Sequence, residues 1–119
     1  MTYIDGFVIP LPKKNVKAYI KMAKEGRKTW MKFGALDYKE CIAEDLKVKG
    51  MLPFSSIAKT KPSETIVFAY IVFKNRKHRD AVNKKVMAFF DKKYAKQKDM
   101  PMPFDTARAA YSGFTTIVE

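Results

Sequence analysis

A carboxylate within an apolar stretch is the first side chain of this sequence that points to chemistry. Asp5 lies in residues 3–10, a segment that otherwise holds apolar residues and one glycine. Burial penalises the charged form of a carboxylate, so Asp5 must either find a partner or retain its proton. In a pocket, such a group can act as an acid, a base or an anchor for a ligand. The alternative, which we favour, is a structural role in which Asp5 forms a buried pair with Arg108 or binds a backbone group.

Glu40 is a second carboxylate of the same kind, in a segment that mixes charged and apolar side chains. A small ligand in an apolar cavity is oriented by a few polar groups. The side chains that we predict to bind a ligand are Asp5, Glu40, Tyr70, Arg108 and Tyr111. No second convincing catalytic group accompanies Asp5, so the catalytic residues, if there are any, stay unassigned.

Metal and cofactor chemistry has little support in the sequence. Cys41 is the only cysteine and His78 the only histidine, so no ligand cluster with zinc spacing is present. The order of residues suggests no Ser-His-Asp or Cys-His arrangement, and no glycine-rich phosphate loop occurs. His78 stands between Lys77 and Arg79 at the expected start of a helix, where we favour a solvated or capping role. We predict neither a metal nor a cofactor.

Positive charge is concentrated in two helical segments. The net charge is +12, and residues 13–32 and 74–98 hold eighteen of the 24 basic residues but only three acidic ones. Lysines that contact phosphates give affinity without sequence readout. The candidates for contact with nucleic acid, RNA in particular, are Lys17, Lys21, Lys24 and Lys28. The alternatives are non-specific, salt-sensitive adhesion and a solvated helix face without a partner.

Length and composition indicate one globular domain, residues 1–119. With 47% hydrophobic residues the chain can form a packed core. The single cysteine excludes an internal disulfide and suits a reducing compartment, so the cytoplasm is the expected location. The first fourteen residues lack the pattern of an export signal, and no apolar run approaches the roughly 18 residues of a membrane span. Neither export nor a membrane partner is predicted.

Hydrophobic periodicity divides the chain into four strands and two helices. We predict strands over residues 3–10, 36–44, 65–73 and 109–118, and helices over residues 15–33 and 76–94. Gly34 is well placed to end the first helix. Tyr19 and Trp30 fall on its apolar side, where core packing is favoured over base stacking. Residues 45–63 read as a long connection, and residues 100–104 as an apolar extended arm.

The element order β-α-β-β-α-β predicts an α+β, ferredoxin-like fold. With right-handed crossovers it gives a four-stranded antiparallel sheet whose first and third strands are central, and these two strands are apolar on both faces. Two helices cover only one face of such a sheet, so the other face needs a second cover. We therefore expect a homodimer in which two sheets face each other, which is a dimeric α/β barrel.

Several short motifs occur in the order found in a known bacterial family. They are Asp5-Gly6-Phe7, Glu64-Thr65-Ile66-Val67-Phe68, Arg79-Asp80 with Asn83, Met102-Pro103-Phe104-Asp105, Arg108 and Gly113-Phe114. In these motifs the chain resembles the YbaA-like proteins, a family of unknown function placed in the dimeric α/β-barrel superfamily. The resemblance implies the dimeric barrel and no activity. Among the site residues of haem-degrading members of that superfamily, only the histidine has an equivalent in this chain, His78. The chain also differs from its relatives in charge, because its helices are rich in lysine and the relatives are nearer neutral.

Three classes of function follow from these observations. The first is a homodimer that binds a small molecule in an apolar cavity between facing sheets. The second is a cofactor-independent oxygenase or isomerase, as found in the superfamily that the chain resembles, with Asp5 as its base. The third is a nucleic-acid-binding module that uses the lysine-rich helix face. We rank the small-molecule binder first.

Overall fold

Four antiparallel strands form one sheet, and two long helices pack on one of its faces. The structure is a computed structural model that describes residues 1–97 and 101–119. Its strands are β1 (Tyr3–Pro12), β2 (Asp37–Ile42), β3 (Glu64–Phe73) and β4 (Ala110–Thr115), and its helices are α1 (Val16–Lys32), α2 (Phe54–Ile57) and α3 (Arg76–Lys93). The strand order is β2-β3-β1-β4, which confirms that the first and third strands are central and the second is an edge. This arrangement is consistent with a ferredoxin-like fold.

The first strand continues to Pro12, beyond its predicted end at residue 10. β4 pairs with β1 only as far as Val8, so the last part of β1 has β3 as its one neighbour. The Lys13 backbone N–H donates to the Ser63 carbonyl at 2.9 Å. By the alternation of an extended chain, the nitrogens of Pro10 and Pro12 then face the unpaired side. Proline is tolerated there because no hydrogen bond from its nitrogen is needed.

Both long helices lie close to their predicted bounds. α1 ends before Gly34, which adopts a φ of 117° that glycine accepts without strain. Asn75 caps α3, since its Oδ1 accepts from the His78 backbone N–H at 2.8 Å. The connection between β2 and β3 contains the short α2, which we did not predict. Among the described residues, no helix is both long and apolar enough to span a bilayer.

The predicted arm at residues 100–104 is described only from residue 101 onward; residue 100 lies outside the described residues. In its described part, the Pro103 carbonyl accepts from Asn15 Nδ2 at 2.8 Å. The Phe104 ring lies 5.9 Å from the ring of Tyr19, in an edge-on arrangement. This segment is therefore fixed against the beginning of α1.

The core lies between the helices and the sheet. Successive residues of a strand alternate faces, so every second side chain of β1 and β3 points toward the helices. One cluster comprises Ile9, Leu11, Tyr19, Ala23, Val67 and Ala69. The other comprises Ala35, Tyr38, Ile71, Phe73, Val82 and Val86. Asp5 belongs to the same helix-facing side of β1 and is sealed within this layer.

The opposite side of the sheet, called the open face below, is covered by neither α1 nor α3. Its apolar side chains are Ile4, Val8, Ile66, Phe68, Tyr70, Val72 and Phe114. Ile66 is buried, and the Phe54 ring of α2 lies 6.0 Å from the Phe68 ring. Phe68 is still 44% exposed, and Phe114 in β4 is 55% exposed. The connection between β2 and β3 therefore shelters only part of the open face.

Candidate functional site

Asp5 is 1% exposed, and its carboxylate contacts the second long helix. Oδ1 accepts from Arg79 Nη1 at 2.8 Å. Arg79 lies three residues before Val82, so both project from the stripe of α3 that faces the sheet. The favoured buried ion pair is thus present, but Arg108 as its cation is wrong.

Arg79 has further partners that hold its guanidinium in place. Its Nε donates to Asp80 Oδ1 at 2.8 Å, and Nη1 also donates to the Tyr111 hydroxyl. The Tyr3 ring lies 5.0 Å from the guanidinium carbon. Partial burial, followed by the charge of Asp5, raises the pKa of Tyr111, so this phenol stays protonated at neutral pH. The structure therefore brings together two predicted ligand residues, Asp5 and Tyr111, through Arg79.

The second oxygen of Asp5 faces Asn83. Asn83 Nδ2 lies 3.5 Å from Asp5 Oδ2, at the outer limit of a hydrogen bond, and Asn83 Oδ1 accepts from Trp30 Nε1 at 2.9 Å. The network thus runs from α1 through α3 to β1. A general base must reach the proton that it abstracts, and this carboxylate is enclosed by protein donors. The arrangement fits a structural ion pair better than a base.

Arg108 forms a two-pronged ion pair with Glu64 at the start of β3. Nη1 donates to Oε2 at 2.6 Å and Nη2 to Oε1 at 3.0 Å. The Lys61 backbone N–H also donates to Oε1, at 2.8 Å. The bonds from Arg108, followed by that from Lys61, lower the pKa of Glu64 to about 2. Asp5 stands opposite Ile71 near the other end of β3, which places it beyond the reach of Arg108.

A groove of about 380 Å³ lies between α1 and β2, on the helix side of the sheet. Its apolar lining includes Leu11, Val16, Ile20, Ala23, Ile42 and Val67. Glu40 enters it because Tyr38, Glu40 and Ile42 alternate onto the same side of β2. A groove of this size and lining is typical of small-molecule sites.

Glu40 is the polar centre of this groove. The Tyr19 hydroxyl donates to Oε1 at 2.6 Å, and the Tyr38 hydroxyl donates to Oε2 at 2.6 Å. Burial, followed by the bond to Glu40, raises the pKa of each tyrosine, so both phenols keep their protons at neutral pH. Both carboxylate oxygens are thereby fixed by neutral donors.

Gly26 leaves the space that the Tyr38 hydroxyl occupies. A Cβ atom at this position of α1 would lie 2.9 Å from Tyr38 Oη. Glycine inside a helix costs about 1 kcal/mol relative to alanine. The cluster around Glu40 gives a physical reason for a glycine here.

Two cations lie at the mouth of the groove. Ile20, Lys24 and Arg27 follow one another at helical spacing along α1 and all line the groove. Both cationic side chains are exposed, and within residues 1–97 and 101–119 neither forms an ion pair. The groove therefore combines an apolar lining, a half-buried polar centre and a positive entrance.

Tyr70 lies apart from the other candidates. It stands opposite Gly6 and Lys39 on the open face of the sheet. Asp5, Glu40 and Tyr111 all point to the helix side, so of these four residues only Tyr70 is placed to line a chamber between two sheets. The structure separates the five predicted ligand residues into four locations.

The predicted nucleic-acid contacts Lys17, Lys21, Lys24 and Lys28 are all exposed on α1. In the part of the chain that the structure describes, none of them forms an ion pair. α3 adds exposed cations at Arg76, Lys77, Lys84, Lys85 and Lys92. The helix layer thus presents a broad positive surface.

The described residues contain no group of three or more His, Cys, Asp or Glu side chains placed to hold a metal ion. His78 Nδ1 accepts from the Lys74 backbone N–H at 3.0 Å, which gives this histidine a local role at the start of α3. Cys41 is exposed and has a free thiol.

Several residues of these sites were not recognised as site residues from the sequence, among them Arg27, which lines the groove, and Glu64, the partner of Arg108. Arg79 and Asn83 entered only as family motifs, although a charged residue on the apolar stripe of α3 is a usable signal. Tyr19 was assigned to core packing. Tyr38 shares a strand face with Glu40, and strand alternation alone would have suggested that pairing.

Comparison with known proteins places the chain in a family. The family model described as "Protein of unknown function (DUF1428)" matches residues 2–106. The chain is 35% identical to "Uncharacterized protein YbaA" of Escherichia coli (strain K12), over 100% of this chain and 99% of that protein, and the YbaA of Shigella flexneri matches equally. The solved "De novo designed protein Foldit4" aligns with 98% of this chain and 99% of its own at 9% identity, with a TM-score of 0.47. The family model and the full-length match to YbaA establish that the chain belongs to the DUF1428 family, whose function is unknown.

Proposed function

We propose that this protein is a homodimer that binds a small, largely apolar molecule in the groove between α1 and β2. The observation that carries the proposal is the groove itself. It has a volume of about 380 Å³ and a largely apolar lining, and it contains one carboxylate held by two phenols. Its volume lies within the range of small-molecule sites. We place the site on the helix side because strand alternation carries Glu40 to that side. The cavity between facing sheets stays a prediction.

The groove is tested with anilinonaphthalene sulfonate, a fluorescent probe that combines an apolar body with an anion. Ile20→Ala removes exposed apolar surface from the groove and should weaken probe binding about fivefold. Ile57→Ala is the matched control, because Ile57 is also exposed but lies in α2, away from the groove. Equal affinity of both variants and the unmodified protein would remove the groove as the binding site.

A second copy of the chain is the occupant that we propose for the open face. The exposure of Phe68 and Phe114 supports it, because a large exposed apolar patch usually marks an interface. Sedimentation at micromolar concentration should give twice the 13.7 kDa mass of the chain. Phe68→Glu should shift this to the monomer, whereas Met87→Glu, at an exposed apolar position on α3, should not. A monomeric unmodified protein would refute the dimer.

The enzymatic alternative, with Asp5 as a base, receives little support from the geometry. Asp5 is 1% exposed and paired with Arg79 at 2.8 Å. If Asp5→Asn abolished a turnover found in a substrate screen while leaving the fold intact, the result would support Asp5 as a catalytic base.

Binding of nucleic acid is a second candidate function, favoured by the exposed lysines of α1 that have no ion pair among the described residues. A fluorescently labelled RNA should bind with an affinity that falls steeply with salt. Replacing Lys17, Lys21, Lys24 and Lys28 together by Gln should weaken binding strongly and flatten the salt dependence of the binding that remains. Binding that is lost at about 0.3 M salt and is indifferent to RNA sequence would identify non-specific adhesion.

A further inference from the structure

The groove between α1 and β2 has two polar regions of opposite hydrogen-bonding character. The inner region consists of Glu40 and the two phenols, and Tyr19 and Tyr38 are both buried. The outer region consists of Lys24 and Arg27, which are exposed. Both regions line the same groove, whose remaining lining is largely apolar. A ligand that satisfies both regions must therefore carry two different polar groups.

The inner region can only accept hydrogen bonds. Both phenol protons are donated to Glu40, at 2.6 Å each. The lone pairs that remain on the phenol oxygens and on the carboxylate have no proton to offer. A ligand group that donates a proton, such as a hydroxyl or an N–H, is complementary to this region, whereas a carbonyl or an ether is not.

The outer region has the opposite preference. Lys24 and Arg27 supply only donors and positive charge. Neither forms an ion pair among residues 1–97 and 101–119. An anionic group such as a carboxylate is complementary to them, and their exposure makes this contribution sensitive to salt.

We infer that the ligand of this groove is an amphipathic organic acid that carries, besides its anionic group, a separate hydroxyl or N–H donor. The inference rests on the proposed function, since it names the chemical class that the same groove would take. In this orientation the anionic group meets Lys24 and Arg27, the apolar body packs along α1, and the donor reaches the cluster at Glu40.

Three matched probes test the inference by calorimetric titration: 6-hydroxy-2-naphthoate, 2-naphthoate and methyl 6-hydroxy-2-naphthoate. The hydroxy acid should bind best, with about tenfold loss on removing the hydroxyl and about fivefold loss on removing the charge. If none of the three binds more tightly than about 1 mM, the proposed function fails together with the inference. If all three bind equally well, the groove is a binding site but the inference is overturned.

Variants assign each preference to its region. Glu40→Gln should abolish the preference for the hydroxyl while 2-naphthoate still binds, because an amide offers a donor as well as an acceptor. Arg27→Gln should reduce the preference for the acid over the ester, and Lys28→Gln, a neighbouring cation that does not line the groove, should leave it unchanged. Preferences that persist in Glu40→Gln and Arg27→Gln would contradict the assignment.

Discussion

Asp5 and Glu40 are carboxylates on the helix side of one sheet, yet their partners differ in charge. Asp5, in a central strand, is neutralised by a guanidinium that is only 13% exposed. Glu40, in an edge strand, is held by two neutral phenols beside a groove. An enclosed ion pair leaves no contact for a ligand, whereas Glu40, held by neutral donors, lies next to accessible space. A strand's place in the sheet therefore separates a structural carboxylate from a candidate binding group.

Removing the cation of the buried pair should give the largest loss of stability. Arg79→Met leaves Asp5 buried without its cation, and we expect the free energy of unfolding to fall by about 3–5 kcal/mol. Urea denaturation followed by the fluorescence of Trp30 measures it. The double variant with Asp5→Asn should lose less than the sum of the two single losses, because no unpaired charge remains. Additive losses would show that the two residues are independent.

Glu40→Gln should cost less than Arg79→Met. It weakens two charge-assisted hydrogen bonds from neutral partners, and we expect a loss of about 1–2 kcal/mol in the free energy of unfolding. The same denaturation experiment measures it. A loss as large as that of Arg79→Met would remove the contrast between the two carboxylates.

A third carboxylate, Glu64, differs from both because its contribution to stability should depend on pH. Its folded-state pKa of about 2 lies below its ordinary value of 4.5, so its contribution is complete above about pH 4.5 and is lost as the pH falls toward 2. We expect Glu64→Gln to lower the melting temperature by about 5 °C at pH 7, which corresponds to roughly 1 kcal/mol. This difference should shrink steadily between pH 4.5 and pH 2. A difference that is constant with pH would contradict the ion pair with Arg108.

The smallest expected change in stability is that of Gly26→Ala. Alanine gains up to about 1 kcal/mol of helix propensity, but its Cβ would displace the Tyr38 hydroxyl, so the two effects oppose each other. We expect a net change below about 1 kcal/mol, together with a reduced preference for the hydroxylated probe. Ala81→Gly, at an exposed position of α3, measures the propensity effect alone. A gain of the full propensity with unchanged probe preference would show that the hydroxyl position is unimportant.

The fold was largely predictable from the sequence because its strands and helices have clear periodicity. The doubly apolar residues 65–73 indicated a central strand, and Gly34 marked the end of α1. The extension of β1 to Pro12 was missed because proline usually ends a strand. Proline is tolerated here because β4 stops pairing with β1 at Val8. The point at which this pairing stops is a property of the assembled sheet.

The candidate site was less predictable, because its partners come from distant parts of the chain. Asp5 was recognised as a buried carboxylate, but the choice between Arg79 and Arg108 depends on how α3 lies over β1. Glu40 was recognised as well. The meeting of Tyr19 and Tyr38 on its two oxygens required the packing of α1 against β2, which no local pattern encodes.

The exposure of β4 has a consequence for solution measurements. Every residue of this strand is exposed, and β1 is its single neighbour in the sheet. Its amides should exchange with deuterium faster than those of β3, because a segment with little buried surface opens locally at low free-energy cost. If a second chain covers the open face, this exchange should slow as the protein concentration rises. The last strand would then report self-association in the unmodified protein, at single-residue detail and without a label.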